Sequence, residues 1–184
     1  MTQKSKMMTT ENTLEDTPAP KQVSRKTRKP RKKPAVKKLP SNPFMNEILE
    51  LADEQPTHAK KVAVLQEYEC MVLKSLFIWN FDDSVISLLP PGAVPYKPNE
   101  NPLGTDHSSL RREQKNLYMF IKGGNDKLST IRRETIFIQL LEGLHPKEAD
   151  IIIAVKDKAL EDKYDIDFEV VEEAFPDIEW GGRS

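Results

Sequence analysis

The chain predicts a mainly α-helical protein, a compact bundle of six to seven helices over residues 42–184 behind a disordered basic tail at 1–41. Three observations predict it. Apolar residues recur at three- and four-residue spacing across most of the second region, as in helices with one buried face. Helix boundary signals, among them Gly123-Gly124, Gly143 and His145-Pro146, divide that region into segments of helical length. The first 41 residues have almost no apolar periodicity, and Val23, Val36 and Leu39 bury too little surface to offset the entropy of ordering the backbone.

A chain of 184 residues accommodates one domain with an extension. The formal net charge of -1 conceals a division at Pro43: residues 1–43 hold 12 Lys or Arg against 3 acids, and the remainder holds 16 against 26. Cys70 is the single cysteine, which excludes an intrachain disulfide and a cysteine-based zinc site and fits a reducing compartment. No apolar run approaches the ~20 residues that span a bilayer. The N-terminal residues lack the apolar stretch of a signal peptide, so a soluble intracellular protein with no membrane partner is expected.

Within the tail, residues 21–38 hold ten basic side chains and no acid: Lys21, Arg25, Lys26, Arg28, Lys29, Arg31, Lys32, Lys33, Lys37 and Lys38. Pro30 and Pro34 favour extended geometry. Such a cationic ribbon neutralises phosphates and releases their counterions, which gives non-specific, salt-sensitive contact with DNA or RNA. The portion Arg28-Lys29-Pro30-Arg31-Lys32-Lys33-Pro34 is similar to the basic tails of histone-like proteins, but it lacks the Arg-Gly-Arg centre of a minor-groove hook. The alternatives are a tail that solubilises, or one that folds back on the protein's own acidic face.

The first helix is expected to follow Ser41-Asn42-Pro43, with proline in its first turn and Phe44, Ile48 and Leu51 on one face. A second, longer helix should cover residues 56–79, turning Leu65, Tyr68, Val72, Leu76 and Trp79 inward and carrying Cys70 as a small buried thiol. Asp82 or Asp83 can cap a short helix through Val85, Ile86, Leu88 and Leu89. Residues 90–102 contain five prolines in thirteen positions; the 90–104 segment reads as an ordered loop laid across the helices, with a concealed strand pair as the alternative.

A fourth helix is expected over 107–122, its inner face formed by Leu110, Leu117, Phe120 and Ile121, ending at Gly123-Gly124. Asn125 or Asp126 then caps a fifth, whose stripe runs through Leu128, Ile131, Phe137, Ile138, Leu141 and Leu144, and the two form an antiparallel hairpin. Helix six starts at His145-Pro146 with Glu148 in its first turn, runs to about residue 160 and packs Ala149, Ile152 and Val155. The acidic segment 157–184 follows, where Asp167 caps a last short helix over 168–175 and Ile178 and Trp180 are apolar anchors that dock on the domain.

A phrase occurs twice in the centre: Ser108-Ser109-Leu110-Arg111-Arg112-Glu113 and Ser129-Thr130-Ile131-Arg132-Arg133-Glu134. Arg111, Arg112, Arg132 and Arg133 are candidate anion contacts, because the guanidinium fork suits phosphate and helix N-termini carry partial positive charge. The hairpin separates the two copies, so the four do not converge on one phosphate. The competing expectation is that each pairs with a carboxylate three or four residues away or on the acidic C-terminal segment.

Asp106, His107 and Ser108 lie together in sequence, yet a triad draws its members from separate elements, and neighbours entering a helix serve as caps. His58, His107 and His145 are the only side chains whose ordinary pKa lies near neutrality, and none has a recognisable catalytic partner set. No catalytic residue, metal ligand or cofactor is therefore expected.

The phrases Trp79-Asn80-Phe81-Asp82-Asp83, Val94-Pro95-Tyr96, Ser109-Leu110-Arg111-Arg112-Glu113, Lys122-Gly123-Gly124-Asn125-Asp126 and Leu141-Glu142-Gly143-Leu144-His145-Pro146 are distinctive together. Over about residues 42–183 the chain resembles an uncharacterised protein family of T4-like tailed phages, notably those of marine cyanobacteria. The resemblance brings no assigned activity and no site residue. It implies a viral protein in the host cytoplasm, or in the virion, among DNA, RNA polymerase, replication proteins and capsid components. The function expected is that of a non-enzymatic phage accessory protein, with a tail that contacts nucleic acid and a helical domain that contacts a phage or host protein. The alternative is a structural or assembly protein whose working surfaces are the acidic segment and the proline loop.

Overall fold

A computed structural model of the chain describes residues 38–102 and 105–183. Of the ten basic tail residues only Lys38 falls among them, and it is exposed; Lys21, Arg25, Lys26, Arg28, Lys29, Arg31, Lys32, Lys33 and Lys37 lie outside the described residues. The described part contains seven α-helices: α1 (Met45–Asp53), α2 (His58–Glu67), α3 (Met71–Phe81), α4 (Leu110–Glu113), α5 (Thr130–Gly143), α6 (Pro146–Lys156) and α7 (Phe168–Ala174). A 3₁₀ segment, Gln114–Phe120, continues α4. Two isolated bridges, Ser87 with Ile121 and Ser108 with Leu144, are the only β-type pairings among the described residues.

α6 is the central helix because its sequence permits nothing else. Ala149, Ile151, Ile152, Ala154 and Val155 are all buried, and a helix that is apolar on most sides must be surrounded. α1, α3 and α5 pack around it, while α2 bridges α1 to α7. Phe77 meets Phe175 of the C-terminal segment at 5.9 Å, and Phe120 sits between Trp79 and Phe137 at 6.3 and 5.1 Å. These rings weld the central and C-terminal regions into one core.

The first turn of α6 also holds the fold's most constrained polar group. Glu148 is fully buried; Oε1 accepts the Met45 N–H at the start of α1, and Oε2 accepts the Leu110 N–H at the start of α4, both at 3.0 Å. Burial pushes its carboxyl above the ordinary glutamate range, against the pull of the two N–H donors and of Arg111. Each N–H would otherwise be one of the orphan donors of a helix N-terminus, buried and without water.

The chain departs from several sequence expectations. The helix expected over 56–79 is two helices, broken at Tyr68, Glu69 and Cys70. Cys70 is half-buried in extended backbone at the α3 N-cap, not inside a helix. The apolar period runs unbroken across this point, because α2 packs on α1 and α7 while α3 packs on α6. No short helix follows Asp82: residues 85–89 are irregular, with Ser87 in the bridge to Ile121, Leu88 N–H on the Phe120 carbonyl at 2.8 Å and Lys122 N–H on the Ile86 carbonyl at 2.9 Å. The helix expected over 107–122 is mostly 3₁₀. Leu117 and Phe120, three apart, are its buried residues, which suits a three-residue turn.

Smaller boundaries shift as well. Phe44 is the N-cap of α1, and Pro43 precedes it. Ser129 caps α5 rather than Asn125 or Asp126, and α6 ends at Lys156. Ile131 is 80% exposed, and the inner position expected of it is taken by the nearby Arg133. The proline segment does lie across the helices: Val94 and Tyr96 pack on the core, Lys156 Nζ donates to the Pro90 and Gly92 carbonyls, and Glu142 accepts the Lys97 N–H. Asp167 caps α7, and Ile178 and Trp180 dock as expected.

Glu148→Ala leaves two buried helix-terminal donors unpaired and is expected to destabilise the fold by about 3 kcal/mol. Glu148→Gln keeps one acceptor but turns an amide N–H₂ toward a backbone donor, so its cost is about 1–2 kcal/mol. Urea unfolding followed by circular dichroism checks the order, and equal midpoints for both variants and the parent would contradict it.

Candidate functional site

The arginines of the repeated phrase are divided between scaffold and surface. Arg111 is half-buried and donates from Nε to the Pro43 carbonyl at 3.3 Å. Arg133 is 5% exposed; Nε donates to the Met119 carbonyl at 2.8 Å and Nη2 to the Asn125 carbonyl at 2.9 Å. Arg112 and Arg132 are exposed. None of the four forms an ion pair among the described residues, so the carboxylate pairing expected for them is not what holds Arg111 and Arg133: carbonyl oxygens are.

Arg133 thereby clasps the 3₁₀ segment and the turn after it to the start of α5. The turn depends on glycine twice. Gly123 has φ of +82°, and a Cβ on Gly124 would collide with the Tyr118 carbonyl. The side chains around the clasp form a surface unlike the rest of the domain. Residues 111–133 contain seven Lys or Arg and two acids, whereas the rest of residues 44–184 contains nine and 24.

Ion pairing sharpens this contrast. Of the nine basic residues outside 111–133, seven are paired: Lys61 with Asp165, Lys74 with Glu69 and Asp177, Lys147 with Glu50, Lys156 with Asp157, Lys158 with Asp83, Lys163 with Asp150 and Arg183 with Asp82. Within 111–133 none is paired among the described residues. Lys115, Lys122 and Lys127 are exposed like Arg112 and Arg132, with Tyr118 49% exposed among them.

The acidic C-terminal segment is stapled to the domain by part of the same pairing. Lys61 and Lys74 reach Asp165 and Asp177, His58 Nε2 meets Glu173 at 2.7 Å, and Asp53 accepts the Asp165 N–H. Asp82, nearly inaccessible, is the last anchor: it accepts Ser84 N–H and Oγ–H on Oδ1, and Gly181 N–H and Arg183 Nη1–H on Oδ2. Burial pushes its carboxyl up, but these hydrogen bonds outweigh burial and hold it at about 2. Phe168 stays partly exposed, edge-on to Trp180 at 5.0 Å, with Glu169 and Glu172 exposed beside it.

A cleft of about 320 Å³ lies between α1 and the start of α6, bordered by Phe44, Glu47, Glu50, Glu54, His145 and Lys147. Each histidine has a structural place. His145 Nδ1 accepts the Lys147 N–H, and burial, then the neighbouring His107 and Lys147, push its pKa down. His107 lies edge-on to it at 5.3 Å and bonds the Asn101 carbonyl through Nε2. Among the described residues no group of three or more His, Cys, Asp or Glu is arranged to hold a metal ion, and no helix is long and apolar enough to cross a membrane. Sequence reasoning missed the unpaired lysines 115, 122 and 127 as a group, although the local excess of basic residues was there to count.

Fold and surface together define a small helical domain with segregated acidic and basic faces. The chain belongs to a family of unknown function, DUF6433, whose pattern matches residues 48–162. That range runs from α1 to just past α6 and includes Glu148 and both arginine phrases. No curated protein and no solved structure matches.

Asp82 makes a pH prediction. A carboxyl held at about 2, against an ordinary value of 3.8, stabilises the fold fully above about pH 4 and loses that contribution as pH falls toward 2. The C-terminal strap should loosen over that window, read as a change in tryptophan emission from Trp180. Asp82→Asn should loosen the strap at pH 7 and flatten the acid transition; an identical transition in the variant would contradict this assignment.

Proposed function

We propose that this is a non-enzymatic accessory protein of a tailed phage, acting in the host cytoplasm, in which the basic tail contacts nucleic acid and the helical domain contacts a protein partner. The observation that carries the reading is the division of charge at Pro43, 12 basic residues against 3 acids before it and 16 against 26 after it. A ribbon of this composition gains affinity for any polyanion by counterion release. The acidic part of the domain, outside residues 111–133, would repel the same polyanion, so it and the tail suit different partners.

For the domain's partner, the strongest support is the C-terminal segment. The exposed edge of Phe168 beside Trp180, with Glu169, Glu172 and Glu179 exposed next to these rings in sequence, offers an aromatic anchor in an acidic segment, which suits a basic surface on another protein. A second reading, a structural or assembly role, is favoured by the same segment together with the pinned proline loop. Stoichiometric presence in purified virions would select it.

The tail is tested by titrating duplex DNA and RNA against the full chain and against a full-length variant with the ten basic residues at 21–38 changed to Gln. The expected outcome is weaker binding with the salt slope reduced by several units, at about 0.9 for each duplex phosphate that the variant no longer neutralises. An unchanged slope would remove the tail from the mechanism.

A further inference from the structure

The unpaired basic surface around the Arg133 clasp is a second charged feature that the tail does not explain. We infer that it is a binding platform for single-stranded nucleic acid, with Tyr118 stacking a base and Lys115, Lys122, Lys127 and Arg132 contacting the phosphates. This deepens the nucleic-acid reading above and rests on it for the ligand class, but it places a contact on the folded domain.

Four observations converge. The first is that exposed lysines and arginines in an acidic domain find partners wherever they can: of the six exposed ones outside 111–133 in residues 44–184, Lys147, Lys158, Lys163 and Arg183 have done so, and within 111–133 none of five has. Leaving Lys115, Lys122, Lys127, Arg112 and Arg132 all without an ion pair among the described residues keeps a local positive field available for an external anion. The second is geometric. In a 3₁₀ turn residues three apart eclipse, so Lys115 and Tyr118 stand on one face, and both are exposed.

The third is rigidity. Arg133 fixes the Met119 and Asn125 carbonyls, and Gly124 lets the backbone of the turn between Lys122 and Lys127 lie directly on Tyr118. Ser129 accepting the Arg132 N–H caps the start of α5, the helix whose Arg133 makes the clasp. The fourth is the neighbouring cleft of about 250 Å³, of which Tyr118 forms one wall. Its other walls include the apolar Ile78, Trp79, Leu117 and Ile121 and the polar Gln114 and Arg183. A flat, partly apolar ring, such as an unstacked base, suits this place better than a duplex, whose bases are already stacked.

The test uses the full-length protein with its tail intact. Oligo-dT, oligo-U and a duplex of equal length are titrated at several salt concentrations against the parent, Tyr118→Leu, and a quadruple variant (Lys115→Gln, Lys122→Gln, Lys127→Gln, Arg132→Gln). The quadruple variant should lower the salt slope for the single strands by about 2 to 3, at about 0.7 for each phosphate neutralised. Tyr118→Leu should weaken single strands about tenfold, leave the duplex within twofold and leave the melting temperature unchanged. Weakening on both oligo-dT and oligo-U supports the platform, and weakening on one alone supports it while naming the kind of strand, DNA or RNA. Unchanged single-strand slopes in the quadruple variant, or equal weakening on duplex and single strand for Tyr118→Leu, overturn it. The Gln-substituted tail, measured in parallel, fails or succeeds on the duplex, so the two proposals can fall separately.

Discussion

Glu148 is the constraint on which the architecture depends. It sits in the first turn of the central helix and receives the opening N–H groups of two others, one 103 residues before it and one 38 before it. Arg111, next to Leu110, closes the figure by bonding the carbonyl of Pro43 just ahead of α1. The starts of α1, α4 and α6 are thus tied in a ring of three hydrogen bonds. The cost is a buried carboxylate, whose pKa burial raises against the two donors. Removing it would strand two buried helix-terminal donors.

The same logic governs the buried cations. Lys156, with its side chain almost inaccessible, donates to the Pro90 and Gly92 carbonyls and to Asp157, and in doing so pins the entry of the proline segment to the end of α6. Arg133 does the equivalent work for the central turn. In both cases a long side chain turns its donors to backbone carbonyls of an irregular segment, which has no ladder of its own to satisfy them. The irregular half of the domain is therefore held by charged side chains reaching from the regular half.

This explains which parts of the fold were legible in the sequence. Helical period identified α1, α5, α6 and α7 because each presents one apolar stripe or, for α6, apolar residues nearly all round. It failed at Tyr68, Glu69 and Cys70, where two helices in different directions kept one continuous phase and no Gly or Pro marked the break. It failed again over 114–120, since Leu117 and Phe120 satisfy α and 3₁₀ spacing alike. The scaffold roles of Glu148, Lys156 and Arg133 could not be read at all: their partners are backbone atoms, which every residue carries, so no pairing in the sequence announces them. The basic excess at 111–133 was legible as a count, but its significance depends on the other lysines being paired, which only the fold determines.

The repeated phrase is the clearest case of sequence and structure diverging. Aligned residue for residue, Leu110 matches Ile131, Arg111 matches Arg132 and Arg112 matches Arg133. Yet α4 is capped at Ser109, the second hydroxyl of its copy, and α5 at Ser129, the first of its own. A slip of one residue turns a helix by about 100°. Leu110 is accordingly fully buried and Ile131 mostly exposed; Arg111 and Arg133 turn to carbonyls, while Arg112 and Arg132 turn to solvent. Each copy thus divides one arginine to the scaffold and one to the surface, by opposite members of the pair. What the phrase duplicates is a helix start with basic residues in its first turns, and only the second copy, through Arg133, clasps the turn that carries Lys122.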